Sequence, residues 1–258
     1  MIRNAIFSDK DSIMTFCKDT FSWGDYIDQV WNFWLSEGNL FLFEKTIPVG
    51  MCHAFYLNNQ LWIEGIRINP NFRRQKIASV LIEHAESIGR KKNIQFSYML
   101  IDTTNTSSIS MANSLNYNIF QTWKFYSLLP KQTVNYDIYF EKSLNLKLYS
   151  QYVKSWRWIP IDKTTLSALY NQNNIIKSTI NGKDSVAILS DSEHFDKTLI
   201  VTLFSGSENS SLQIISFLQN YGIEKNYARI QILTRDNLPS FDSLEYRISF
   251  NLMKKSLV

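Results

Sequence analysis

The sequence is poor in the residues that build cross-linked, repetitive or membrane-bound chains. Among 258 residues there are two cysteines, five prolines and eight glycines. Cys17 and Cys52 have no CxxC spacing, which excludes a disulfide framework and a thiol-rich metal knot. So little Gly and Pro excludes collagen-like, linker-rich and low-complexity organisation. Nothing approaches eighteen consecutive apolar residues, so no membrane-spanning helix is expected. The first residues, Met1 to Asp11, carry charges where a signal peptide needs an apolar core. No GxSxG, GxxxxGK[ST] or HExxH occurs, leaving the common hydrolase and nucleotide-triphosphatase chemistries without residues to carry them. His53, His84 and His194 have no metal-ligand spacing with the cysteines, so no metal is expected. Cys52 and His53, adjacent on a strand, point to opposite faces and cannot form a nucleophile–base pair. A soluble, cytoplasmic globular protein is the expectation.

What is present is apolar and aromatic: 45% hydrophobic and 14% aromatic residues with a net charge of only +4, too collapsed a composition for disorder. The surplus charge is too dilute to imply nucleic-acid binding, but it is locally concentrated. Arg73-Arg74-Gln75-Lys76 and Arg90-Lys91-Lys92 flank Ile77, Val80, Leu81, His84, Ala85 and Ile88, whose spacing describes one face of a helix over 75–92. Cations in the last turn match the helix dipole. Those at the N-terminus oppose it by about 0.3–1 kcal/mol each unless an anion is bound, and free backbone N–H groups plus cations are what a phosphate requires. Upstream, residues 61–68 read as a strand closed by Asn69-Pro70-Asn71. Residues 41–45 and 49–57 read as a hairpin, preceded by helices over 9–20 and 25–35. Downstream come a strand over 94–101, a helix over 106–115 and a strand over 117–129.

This order and these residues resemble the GNAT N-acetyltransferase superfamily. Arg73-Arg74-Gln75-Lys76-Ile77-Ala78 is similar to the family's [QR]-x-x-G-x-[GA] pyrophosphate loop. Asn105, Ser108, Met111, Ala112, Asn116 and Tyr117 match its N-x-x-A-x-x-L-Y-x-x-x-G-F segment. Three departures stand out: Lys76 replaces a glycine, Asn116 replaces another, and Ala112 stands where many members carry the tyrosine that protonates the leaving thiolate. The resemblance implies an α/β fold with a mixed central sheet flanked by helices. It also implies acetyl-CoA as donor, held by Ile66, Arg67, Ile68, Arg73, Arg74, Gln75, Lys76, Ile77, Ala78, Ser79, Asn105, Ser108 and Met111. The turn between the first two helices borders the acceptor pocket in this family, which implies Trp23, Asp25 and Tyr26 as residues toward a cationic amine.

The second half echoes the first. Residues 156–165 and 2–11 both read as a strand entering a helix, and residues 198–204, 210–221 and 228–233 read as strand, helix and strand. Asn237 and residues 243–246 echo Asn105 and residues 114–117. Ser205-Gly206-Ser207-Glu208-Asn209-Ser210 lacks the cations of the first loop, so it is not expected to hold a pyrophosphate. The expected layout is a GNAT domain over 1–145 and a degenerate GNAT-like domain over 146–258, with a connection and a strand within 130–152.

For chemistry, alternation along residues 61–68 puts Trp62, Glu64, Ile66 and Ile68 on one face and Arg67 on the other. Glu64 is the candidate base. The expected activity is transfer of an acetyl group from acetyl-CoA to a primary amine of a small molecule, peptide or protein, by a monomer or homodimer. The alternative is a non-catalytic acyl-CoA-binding or interaction protein on a decayed GNAT fold.

Overall fold

The computed structural model describes residues 1–18, 20, 24–132, 136–142 and 149–258. The chain begins with β1 (Ile2–Asn4), α1 (Lys10–Cys17), α2 (Ile27–Glu37), β2 (Leu40–Glu44), β3 (Pro48–Leu57) and β4 (Gln60–Ile68). It continues through α3 (Ile77–Lys91), β5 (Phe96–Asp102), α4 (Thr106–Ser114), β6 (Asn118–Leu128), β7 (Tyr139–Phe140), β8 (Gln151–Lys154) and β9 (Arg157–Pro160). Then follow α5 (Lys163–Asn171), β10 (Ile175–Ile180), β11 (Lys183–Asp191), β12 (Thr198–Phe204), α6 (Glu208–Glu224), β13 (Arg229–Thr234) and β14 (Leu244–Ser256). These form two compact units, Met1–Gln121 with Asn251–Val258, and Thr122–Phe250. Their bounds fall within strands β6 and β14.

In the first unit β1 to β4 pair antiparallel in order, and α3 carries the chain across to β5, which lies parallel to β4. The α3 crossover follows from its sequence: Ile77, Leu81, Ile82 and Ala85 form its buried stripe, while Val80 is turned outward. That stripe packs on Phe41, Val49, Cys52, Ala54, Leu61, Ile63, Met99 and Ile101, with Met253 and Leu257 from the end of the chain completing the cluster. Helix α2 covers the opposite face, where the Trp34 indole stacks on His53 at 4.8 Å between ring centroids.

The second unit repeats this plan. Strands β10, β11 and β12 are antiparallel, and α6 crosses over to a parallel β13, which pairs antiparallel with β6. The β10–β11 turn is Asn181-Gly182, both at positive φ, a two-residue hairpin signal. No helix matches α4: residues 235–243 are turns and irregular chain, so the echo of Asn105 in Asn237 does not extend to local structure. The strand expected within 130–152 is the short β7, which pairs with the edge of β10.

Candidate active site

The basic loop lies where the sequence puts it. A single turn over Pro70–Phe72, capped by the Asn69 side chain, leads into Arg73, Arg74, Gln75 and Lys76, all exposed. Arg74 and Lys76 have φ of 62° and 58°, the left-handed region. A glycine adopts that backbone at no steric cost, and this accounts physically for the family's glycine at position 76. Lys76 is the N-cap of α3 and supplies no capping side chain, so the helix opens onto this loop with its first-turn N–H groups unshielded by a side-chain acceptor. Gln75 accepts a hydrogen bond from Lys45 at 2.7 Å, and Arg73 Nε donates weakly to the Ile68 carbonyl at 3.4 Å. Ile77 is buried in the core, while Ala78 and Ser79 are half-buried in the first turn.

Beside this loop the sheet opens. The β4–β5 ladder joins Gln60, Leu61 and Trp62 to Phe96, Ser97 and Tyr98 and then stops. Residues 63–68 and 99–102 continue as strands without pairing to each other, leaving a wedge along the part of β4 that leads into the α3 loop. Asn105, beyond β5, caps α4 by accepting from the Ser108 N–H at 3.0 Å. Ser108 and Met111 lie half-buried on α4, with Met111 packed against the α3-side core, and Ala112 is wholly buried and offers no hydroxyl.

Strand β4 is not regular, and this corrects the alternation expected from its sequence. Met51 lies opposite Arg67, but His53 lies opposite Glu64, so β4 carries one extra residue between these pairs. The bulge falls at Gly65, with φ 63°. A side chain there would place its Cβ 2.3 Å from the Trp34 indole, so the position requires glycine for space as well as backbone. Beyond the bulge the faces exchange. Ile66 and Ile68 join Leu61 and Ile63 on the α3 side, and Arg67 joins Trp62 and Glu64 on the α2 side.

Glu64 therefore sits on a charged, aromatic face. Its Oε1 lies 2.9 Å from His53 Nδ1, and His53 Nε2 lies 3.0 Å from the Gly38 carbonyl and 3.6 Å from Glu37. Donor atoms of Glu37, His53 and Glu64 come within 4.8 Å of one another, but both imidazole nitrogens already face acceptors. Arg67 binds both oxygens of Asp25, at 2.6 and 2.9 Å, and its guanidinium lies 5.3 Å from the Tyr26 ring centroid. Asp25 also accepts from the Ile27 N–H at the start of α2, and its carboxylate is only 4% exposed. Its charge is met inside the fold rather than displayed to an acceptor. Arg67, on the α2 side and tied to Asp25, is likewise turned from the α3-side surface that carries Ile66 and Ile68. Tyr26 is half-buried between these groups, and burial pushes its hydroxyl above the ordinary tyrosine range. Trp23 lies outside the described residues.

Cys52 faces the α3-side core and His53 the α2 side, and burial raises both thiols, Cys17 to about 12, so neither is a thiolate nucleophile at neutral pH. Tyr117 is fully engaged in structure: its buried hydroxyl donates to Glu86 at 2.8 Å and meets Ser97 at 2.6 Å. Burial and the adjacent Glu86 raise its pKa further. His53 is the residue that motif reading does not find, because its partner is set by strand register and not by spacing along the chain.

The comparisons with known proteins agree with this geometry. The acetyltransferase (GNAT) family model matches residues 9–117. These residues are a GNAT acetyltransferase domain. The whole chain shares its fold with a GCN5-related N-acetyltransferase from Sphaerobacter thermophilus (TM-score 0.66, 8% identity, 100% of this chain and 95% of the other). It also shares it with a Thermoplasma acidophilum protein assigned as an acetyltransferase (TM-score 0.63, 14% identity, 99% of each chain). No curated protein sequence matches the chain. Because both GNAT-fold structures span nearly the full length, the tandem plan of the two units belongs to the fold. Family and fold together support N-acetyl transfer as the kind of reaction. No helix among the described residues is long and apolar enough to cross a membrane.

Proposed function

We propose that the chain transfers an acetyl group from acetyl-CoA to a primary amine of a small molecule, peptide or protein. The observation that carries this reading is the unpaired β4–β5 wedge running up to an uncapped, basic helix N-terminus. The loop fits a pyrophosphate: Arg73, Arg74 and Lys76 supply charge, and the first turn of α3 supplies N–H donors. The stretch of β4 around Ile66 and Ile68, which does not pair with β5, suits the amide-bearing pantetheine arm, with Asn105, Ser108 and Met111 on its far side. Glu64, one bulge away on β4, takes the proton that an ammonium acceptor must lose before its nitrogen attacks the thioester carbonyl. The carbon–sulfur bond then breaks. With alanine at 112, the leaving thiolate takes its proton from water. The half-buried Tyr26 gives the acceptor side an aromatic ring suited to a cationic amine.

Titration calorimetry with CoA tests the donor site. Arg73→Glu should weaken binding by about 10–100-fold, the worth of a charge-assisted phosphate contact, while Arg90→Glu, which lies at the other end of α3 beside Glu86, should change it little. Equal losses would mean diffuse electrostatics and no dedicated site. Ala112 favours one further reading, a CoA-binding protein without turnover. CoA binding with no acetyl transfer across a panel of amines would select it.

A further inference from the structure

We propose that His53 is the positioning residue of Glu64, donating through both ring nitrogens so that one imidazolium ties the end of α2 to the centre of β4. The inference rests on the acetyl-transfer reading with Glu64 as base.

The His53 side chain is wholly buried, and the groups its two ring nitrogens meet, Glu64, Glu37 and the Gly38 carbonyl, are acceptors. The Gly38 carbonyl at 3.0 Å can only accept, which fixes a proton on Nε2. Glu64 Oε1, 2.9 Å from Nδ1, accepts as a carboxylate from a second N–H. A neutral ring would set a nitrogen lone pair against carboxylate lone pairs in a site shielded from water. Two further features favour the doubly protonated ring: Glu37 Oε2 lies 3.6 Å from Nε2, and the Trp34 indole lies parallel to the imidazole within 7°, offering its π face to a cation.

The charged groups around this ring come from two helix-side residues and one strand. Glu37 and Trp34 belong to α2 and Glu64 to β4; on the same face Arg67 and Asp25 neutralise each other, with Tyr26 against Arg67. The Glu37 and Glu64 carboxylates place two acidic groups on this face, both beside the imidazolium. Such a face attracts a cationic amine and can take one proton from it. The N–H bond of the acceptor ammonium breaks, the proton goes to the Glu64 carboxylate, and His53 keeps both of its bonds throughout. His53 thereby holds the orientation of Glu64 without itself exchanging a proton with the acceptor.

Nitrogen-15 NMR of the histidine-labelled full chain at neutral pH tests the assignment without any turnover. Both His53 nitrogens should show the protonated signature in the native chain, and Glu64→Gln should convert His53 to a singly protonated ring. A singly protonated His53 in the native chain overturns the proposal. So does loss of a ring proton on adding zinc, which would make Glu37, His53 and Glu64 a metal site. In steady-state assays His53→Asn should lower kcat about 10–100-fold, as expected for a displaced base, with KM for acetyl-CoA little changed and the acid limb of the kcat profile moved. A His53→Asn variant that loses stability but keeps the native pH profile would show a merely structural role and overturn it. Two-donor His53 in a chain that transfers no acetyl group would support the assignment and count against the acetyl-transfer reading instead.

Discussion

The two units repeat one plan, three antiparallel strands, a crossover helix and a parallel strand, yet they differ in how far the parallel pair runs. In the first, β4 and β5 pair over three residues each and then separate. In the second, β12 and β13 pair over six, from Thr198 opposite Arg229 to Leu203 opposite Thr234, and no wedge opens. The helix N-termini differ in the same sense. At α3 the N-cap is a left-handed lysine among cations, with no capping side chain. At α6 Ser207 caps the Ser210 N–H, Glu208 occupies the first turn, and the hydroxyls of Ser185, Ser205, Ser207, Ser210 and Ser211 bond to one another. Gly206 closes the gap: a Cβ there would meet the Asp184 carbonyl at 2.0 Å. Open backbone donors at α3 suit an anion, whereas side chains satisfy those at α6. The proposed function therefore predicts one CoA per chain, which the stoichiometry of the CoA titration counts.

The largest expected effect tests what lies beneath the two crossover helices. Under α3 the buried Glu86 is held by Lys255 at 2.6 Å, by Tyr117 and by the half-exposed Arg90; at the start of α6 the buried polar groups are the hydroxyls of Ser185, Ser210 and Ser211. Lys255→Met strips the buried carboxylate of its nearest cation and should destabilise the first unit by about 3–5 kcal/mol. Ser185→Ala removes neutral hydrogen bonds and should cost the second unit about 1–3 kcal/mol. Hydrogen exchange of α3 and α6 amides in denaturant reads each unit separately. Equal costs would mean that charge and hydroxyl networks contribute alike.

Much of this contrast is written in the sequence, and the rest depends on pairing. The cations of 73–76 and the serines of 205–211 are plain to read, and so is their placement before an apolar helical stripe. The alternation of Leu244, Tyr246, Ile248, Phe250 and Leu252 also marks a strand, but nothing local says that its last residues return to the first unit beside β5. The bulge at Gly65 is likewise a property of register. Without it, period-two reasoning sends Arg67 away from Glu64 and keeps Ile66 beside it, the reverse of the arrangement found. His53 escapes for the same reason, since its importance comes from residues 38 and 64 on neighbouring elements.

A smaller pair of effects separates the two helix N-termini. Ser207→Ala removes a cap and should cost about 1 kcal/mol. Lys76→Gly relieves a left-handed backbone that costs a non-glycine residue about 1–2 kcal/mol, offset by the flexibility that glycine adds to the unfolded chain. It should leave stability unchanged or raised and CoA binding within a few-fold. Thermal unfolding and CoA titration of both variants check this. A stability loss for Lys76→Gly as large as that for Ser207→Ala would show that the Lys76 side chain, and not its backbone, holds the loop.

The smallest effect concerns acid, and it compares the entries to α1 and α5. The Arg3 guanidinium, bonded to both oxygens of Asp9, holds that carboxyl below its ordinary 3.8 against the opposing cost of burial, helped by the Ile6 N–H. Asp162, fully exposed at the N-cap of α5, is lowered by the Thr165 N–H instead. Both are depressed carboxyls, so the stability each contributes is complete above pH 3.8 and is lost as pH falls through its lower folded value. The two differ in what a neutral amide can replace. Asparagine caps a helix about as well as aspartate, so Asp162→Asn should barely change stability at neutral pH. Asp9→Asn leaves Arg3 with Glu44 alone, at 2.9 Å, and should lower the stability of the first unit near pH 6. The same variant should flatten that unit's decline below pH 4, because the proton uptake that drives it has been removed. Urea unfolding at a series of pH values measures both slopes. If Asp9→Asn declines with acid as steeply as the native chain, the Arg3–Asp9 pair contributes nothing to the acid response of the first unit.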